Sequence, residues 1–148
     1  MKKYVVIVLV AMMVTLAGGI ASAADFNALV STSWLSANLT TPNLVILDIR
    51  AVADYKASHI PGAVNVIYGA LSVKKGVLAN EIPDLEDLQD MLQDAGINKD
   101  STVVIYSAKY SKADSFAGIY DSLRIYFTLK YAGVASVGVL DGGLDKWV

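Results

Sequence analysis

The residues of this 148-residue sequence best placed to do chemistry are Asp48, Arg50, Ser107, Lys109, Lys112 and Arg124. Asp48 and Arg50 close an apolar run, at the edge where open α/β sheets place their ligands. A carboxylate and a guanidinium there can hold a ligand's charge, or they can hold each other as an internal ion pair. Ser107 follows a second apolar run and opens a polar stretch in which Lys109 and Lys112 give a positive rim. Arg124 lies beyond that stretch and can face the same mouth, where an anion would sit, or serve in a salt bridge. A nucleophilic Ser107 would need a base. The sequence has no G-x-S-x-G elbow, and its only histidine, His59, lies on the far side of another strand. Ser107 therefore reads as a loop hydroxyl that caps backbone groups. His59 sits in the turn His59-Ile60-Pro61-Gly62-Ala63 with no cysteine or second histidine to share a metal, so its expected role is structural and no metal site or cofactor is implied. The chain contains no cysteine. It can supply neither a thiolate nor a disulfide.

These residues need elements to position them. Leu29 to Leu35 reads as a short strand passing into a helix, with Ser31 or Ser33 as its cap. Asn43 to Asp48 carries Leu44-Val45-Ile46-Leu47 without polar alternation, the pattern of a strand buried on both faces in a parallel sheet. A short helix over Val52 to Ala57, the turn at His59 to Ala63 and a strand over Val64 to Ile67 follow. Tyr68 to Pro83 is read as a polar connection. From Asp84 to Ala95 the apolar residues fall at 85, 88, 92 and 95, a helical spacing that Asp84 is placed to cap and Gly96 to close. Thr102 to Tyr106 is the clearest β run. After the polar stretch Ser107 to Ser115, a helix from about Ala117 to Ala132 ends at Gly133, and Val137 to Leu140 is a further buried strand. Asp141-Gly142-Gly143 makes a tight turn, read as architecture, and Leu144 to Trp147 begins a last helix. Strands separated by helices imply parallel, right-handed crossovers with helices on both faces, so the class is α/β.

The first residues do not belong to that pattern. Lys2 and Lys3 precede an apolar run from Tyr4 to Ala17, and Ala21-Ser22-Ala23 follows: the order of a secretory signal peptide. The run is shorter than the roughly 20 apolar residues of a membrane span and is broken by Gly18-Gly19. Residues 1–23 are read as a signal cleaved after Ala23, which predicts a periplasmic or secreted domain over 24–148 with no membrane association after cleavage. The apolar fraction of 55% is inflated by this leader. Removing Lys2 and Lys3 takes the formal charge from −2 to −4. With no basic patch, that argues against nucleic acid or anionic lipid as partner.

Four segments in order, Asn43 to Arg50 with LVILDIR, Asp54 to Val66 with HIPGAVNV, Val103 to Tyr106 with VVIY, and Leu123 to Trp147 with LRIYFTLKYAGV and VLDGGLDKW, resemble the rhodanese homology domain. Together they cover nearly all of residues 24–148. The resemblance implies a rhodanese-like fold with a central parallel sheet of about five strands. Within the family, LVSTSWLSANL joined to SLRIYFTLKYAGV is similar to the amino-terminal half of tandem thiosulfate and 3-mercaptopyruvate sulfurtransferases. In such proteins that half generally lacks the nucleophile, and the carboxy-terminal domain brings the catalytic cysteine to their interface. In active members the cysteine follows the strand matching Val103 to Tyr106. The matching residue here is Ser107, in a loop longer than the cradle of single-domain enzymes.

A persulfide requires a thiolate, and a serine hydroxyl cannot form one. The chain alone is therefore expected to be inactive and to serve as the non-catalytic half of a sulfurtransferase, with a catalytic rhodanese domain as partner, in cis or separately encoded. Two other readings stay open: a module that binds a small sulfur-containing anion or a protein without chemistry, and an enzyme with an unrecognised nucleophile. Trp34, Trp147, Tyr126 and Phe127 are either packing residues or parts of an exposed interface.

Overall fold

The apolar runs become adjacent parallel strands. In the computed structural model, which describes residues 26–108 and 117–148, β2 (Leu44–Asp48) pairs along its whole length with β6 (Thr102–Tyr106), from Leu44 opposite Thr102 to Asp48 opposite Tyr106. On the far side of β6 lies β7 (Ser136–Leu140), then the two-residue β1 (Leu29–Val30); on the far side of β2 lies β3 (Val64–Asn65). All pairings in this five-stranded sheet, β1-β7-β6-β2-β3, are parallel. Residues 1–23, read from the sequence as a signal, and Lys109 and Lys112 lie outside the described residues.

Helices cover both faces, as parallel crossovers require. One face carries Leu47, Ile49, Val103, Ile105 and Val137, packed by α4 (Leu85–Asp94) through Leu88 and Leu92 and by α5 (Ala117–Tyr131) through Ile125 and Leu129. The other carries Ile46, Val104, Tyr106 and Leu140 beneath Leu35 of α1 (Thr32–Asn38) and Leu144 of α6 (Gly143–Trp147). Ser31 is the cap of α1, its hydroxyl accepting from Trp34 N–H at 3.1 Å. The expected short helix forms as α2 (Val52–Ala57), and Gly96 closes α4 at φ 74°.

Three expectations are corrected. The connection from Tyr68 to Pro83 is built of a one-turn helix α3 (Tyr68–Leu71) and an antiparallel hairpin, β4 (Val73–Lys75) with β5 (Leu78–Glu81). Its strands are largely exposed and hold Lys74, Lys75, Asn80 and Glu81, so no buried face imposes an apolar alternation by which they could be read. Asp84 occupies the N-cap position of α4 but makes no capping bond; its carboxylate pairs with Lys75 Nζ at 2.7 Å instead. The strand at Val64 to Ile67 is shorter than expected, since only Val64 and Asn65 have ladder partners in β2.

Asp121, on α5, has its carboxyl pushed above the ordinary value by burial. An acid whose folded pKa is raised binds its proton more tightly in the folded state. Stability is then lost as pH rises from the unfolded pKa through the folded one, and the deficit persists above both. Asp121→Asn is expected to raise the thermal midpoint at pH 7 and to leave it unchanged at a pH below about 3, where both states of the wild-type residue are protonated. Thermal melts at the two pH values read the difference.

Candidate functional site

The order of the strands fixes where a site can lie. From β2 the chain runs outward to β3, whereas from β6 it runs the opposite way to β7, so the crevice at the carboxyl ends of β2 and β6 is the switch point of the sheet. Asp48 and Ser107 are the residues that arrive there. Both are buried.

Asp48 is held from three directions. Arg50 donates from Nε to Oδ1 at 3.0 Å and to Oδ2 at 3.1 Å, from Nη2 to Oδ2 at 2.6 Å, and from its backbone N–H to Oδ1 at 2.9 Å. The same Nη2 also reaches Ser58 O at 2.6 Å, which ties the end of α2 to the strand. Asn65 Nδ2 donates to the carbonyls of Asp48 and Arg50, each at 3.0 Å. Bidentate pairing of this kind holds a guanidinium in one orientation. Hydrogen bonding to Asp48 is the largest cause that raises the Arg50 pKa, so the residue stays charged in spite of its burial. Of the two roles open to Asp48 and Arg50, the geometry is that of the internal ion pair.

Tyr106 completes this network, although little in the sequence points to it. Its ring lies 5.5 Å from the Arg50 guanidinium carbon and its hydroxyl accepts from Ile60 N–H at 3.2 Å. Burial first, then the hydrogen bond to Asp48, raises the phenol pKa far above the usual tyrosine value. A phenol that is neutral throughout the physiological range acts as a hydrogen-bonding strut. The signal was a single polar-tipped aromatic at the end of an otherwise aliphatic strand.

The turn at His59 to Ala63 is thereby anchored to β6. Ala63 N–H closes it on Ile60 O at 3.0 Å, and Tyr55 donates its hydroxyl to Ala63 O at 2.8 Å. His59 stacks on the Tyr55 ring at 4.1 Å and places Nδ1 2.9 Å from Tyr55 O, so its contacts are those of a turn residue; Pro61 and Gly62 are exposed at the tip. Ser107 is joined to the final turn instead: Leu144 N–H donates to Ser107 O at 3.3 Å. In that turn Gly142 and Gly143 both take positive φ, 82° and 57°, and Lys146 folds back to pair with Asp141, filling the space a Gly142 side chain would need. The site thus brings Asp48, Arg50, Tyr106 and Ser107 together at the strand ends, with Asp141 to Gly143 beside Ser107.

Arg124 is committed elsewhere. Its Nε donates to Asn80 O at 3.1 Å and its Nη2 makes a second, shorter bond to the same carbonyl, so it clamps the β4–β5 hairpin onto α5. Of the aromatic residues, Trp147 and Tyr126 are partly buried against the two cores, whereas Trp34, which meets Phe26 edge to face at 5.4 Å, and Phe127 are exposed.

Residues 31–148 match the family model for the rhodanese-like domain. The chain belongs to that family. Among curated rhodanese relatives it is 32% identical over 127 residues to the mitochondrial thiosulfate/3-mercaptopyruvate sulfurtransferase 1 of Arabidopsis thaliana, a match that covers 80% of this chain and 31% of the relative. It is 27% identical over 128 residues to the 3-mercaptopyruvate sulfurtransferase of Escherichia coli, covering 80% of this chain and 43% of the relative. The crystal structure of SseA from Escherichia coli, a 3-mercaptopyruvate sulfurtransferase of rhodanese fold, superposes with a TM-score of 0.68 at 28% identity over 82% of this chain and 47% of that one. A structure of EanB with a cysteine persulfide and ergothioneine gives 0.67 at 29% identity, over 81% and 31%. The chain spans less than half the length of each of these proteins. The five-stranded parallel sheet with helices on both faces is the rhodanese fold.

Proposed function

We propose that this rhodanese domain is the non-catalytic half of a thiosulfate/3-mercaptopyruvate sulfurtransferase, exported by the leader at residues 1–23, and that it shapes the active site which a cysteine-bearing domain completes. The observation that carries this reading is chemical: no cysteine occurs in the chain, and in this reading Ser107 takes the place of the family's nucleophile. Sulfane sulfur transfer needs a thiolate to attack the donor and hold the sulfur as a persulfide, and a hydroxyl offers neither step.

Two features support a partner. Relatives that bear sulfurtransferase names are more than twice as long as the matched region. The outer face of α5 also carries Leu123, Phe127 and Tyr131, at 48, 65 and 63% exposure, so this helix is apolar on the side away from the core as well as toward it. Large apolar side chains gathered on one exposed helix face mark a surface that another domain can cover. The Asp48–Arg50–Tyr106 network then serves to stiffen the strand ends that a second domain would face.

The test is mass spectrometry of the intact chain from residue 24 to 148 after incubation with excess thiosulfate or 3-mercaptopyruvate. The expected result is an unchanged mass. Gain of one sulfur atom, localised to a tryptic peptide, would overturn the proposal.

A further inference from the structure

The sheet ends at β3, and no described strand pairs with its outer edge. Val66 donates its N–H to Asp48 O at 3.0 Å and Tyr68 donates to Ile49 O at 2.9 Å. Successive residues of an extended chain turn their backbone groups to opposite sides, so the N–H and C=O of Asn65 and the N–H of Ile67 point away from β2. An open edge of this kind is a template for another strand.

That edge is also one wall of a groove of about 420 Å³. Met91 of α4 and Ala95, just past its end, line it as well, and so does Val52. Val52 and Ile67 are 48% and 42% exposed, large apolar side chains left in water at the groove's rim. The lining is apolar except for Asn65 and Asp94. Asp94 is the last residue of α4, where the helix's own carbonyl ends are negative, and the last turn carries no basic side chain to balance it. Asp87 and Asp90 stand one turn below Met91 and Asp94 on the same helix, which holds no lysine or arginine anywhere.

We propose that this groove docks an extended, apolar segment of a partner protein, which adds a strand to β3 and sets a lysine or arginine beside Asp94. The three features require different things of the same occupant. Outward backbone groups call for a chain in extended form; an apolar trough calls for alternate apolar side chains; an uncompensated carboxylate at a helix carboxyl end calls for a cation. Main-chain bonds supply affinity in strand addition and the trough supplies selection. A small anion or a nucleic acid satisfies none of these requirements and is repelled by the third. The groove contains neither Ser107 nor Arg124, so the inference stands independently of the proposed sulfurtransferase role.

The test uses a short fluorescein-labelled peptide in which valine alternates with lysine, titrated with the full chain and followed by anisotropy. The expected result is saturable binding that weakens as salt is raised. Asp94→Lys, an exposed substitution, is expected to weaken it by about tenfold, whereas Asp100→Lys, the same charge change at an exposed residue outside the groove, leaves it unaltered. The same peptide N-methylated on alternate residues, which blocks one hydrogen-bonding edge, is expected to lose binding. Absence of saturable binding, equal loss in the two lysine variants, or full binding of the N-methylated peptide would each overturn the proposal.

Discussion

Asp48→Ala is expected to destabilise the folded chain by about 3–5 kcal/mol, the cost of leaving one member of a buried ion pair behind. Asp48 is fully buried and Arg50 is 8% exposed, so water cannot replace the lost carboxylate. The deletion strips partners from Arg50 Nε, Nη2 and backbone N–H together, and removes the carboxylate that helps hold the Tyr106 phenol neutral at the end of β6. Removing both charges is a different perturbation. Asp48→Ala combined with Arg50→Ala leaves no orphaned charge, so the double variant is expected to cost less than the sum of the two single ones. Urea unfolding of the three variants and the wild type closes the cycle. An additive result would mean that the pair is not coupled and that the strand ends are held by something else.

Gly138→Ala is expected to cost about 1–3 kcal/mol, the range for overpacking a closely packed site. A methyl built at Gly138 would lie 2.6 Å from Val30 Cγ2, 2.7 Å from the carbonyl oxygen of Asn27 and 2.9 Å from Phe26 Cε1. The side chains can shift, but the Asn27 carbonyl belongs to the chain that leads into β1. β1 is held to β7 through Val139 N–H to Ala28 O and Asp141 N–H to Val30 O, each at 2.8 Å. Relief of the clash therefore pushes β1 off the sheet, and hydrogen exchange is expected to quicken at Val139 and Asp141 while β2 and β6 keep their protection. Protection lost uniformly across the sheet would contradict a local cause.

The contrast between these two sites shows what was legible in the sequence. β2, β6 and β7 could be read because strands buried on both faces must be apolar throughout, and α4 because one buried face imposes a helical period. The β4–β5 hairpin could not, since it buries neither of its faces. At the site, Asp48 and Arg50 were readable as a pair from their place at the end of a strand. Tyr106 as the strut between that pair and Ile60, and Arg124 as the clamp on Asn80, depend on contacts between residues far apart in the chain, which no local pattern encodes. The close approach at Gly138 is of the same kind. So is the groove beside β3, whose walls, Ile67 and Met91, meet only when the sheet and α4 are assembled.

Turnover decides whether this rhodanese domain transfers sulfur by itself. The purified chain from residue 24 to 148 is assayed with thiosulfate or 3-mercaptopyruvate as donor and cyanide as acceptor, beside a cysteine-containing rhodanese and a buffer blank. A rate equal to the blank is expected with both donors. Thiocyanate formed above the blank, and lost on Ser107→Ala, would contradict it and would mean that this chain performs the chemistry without a thiol.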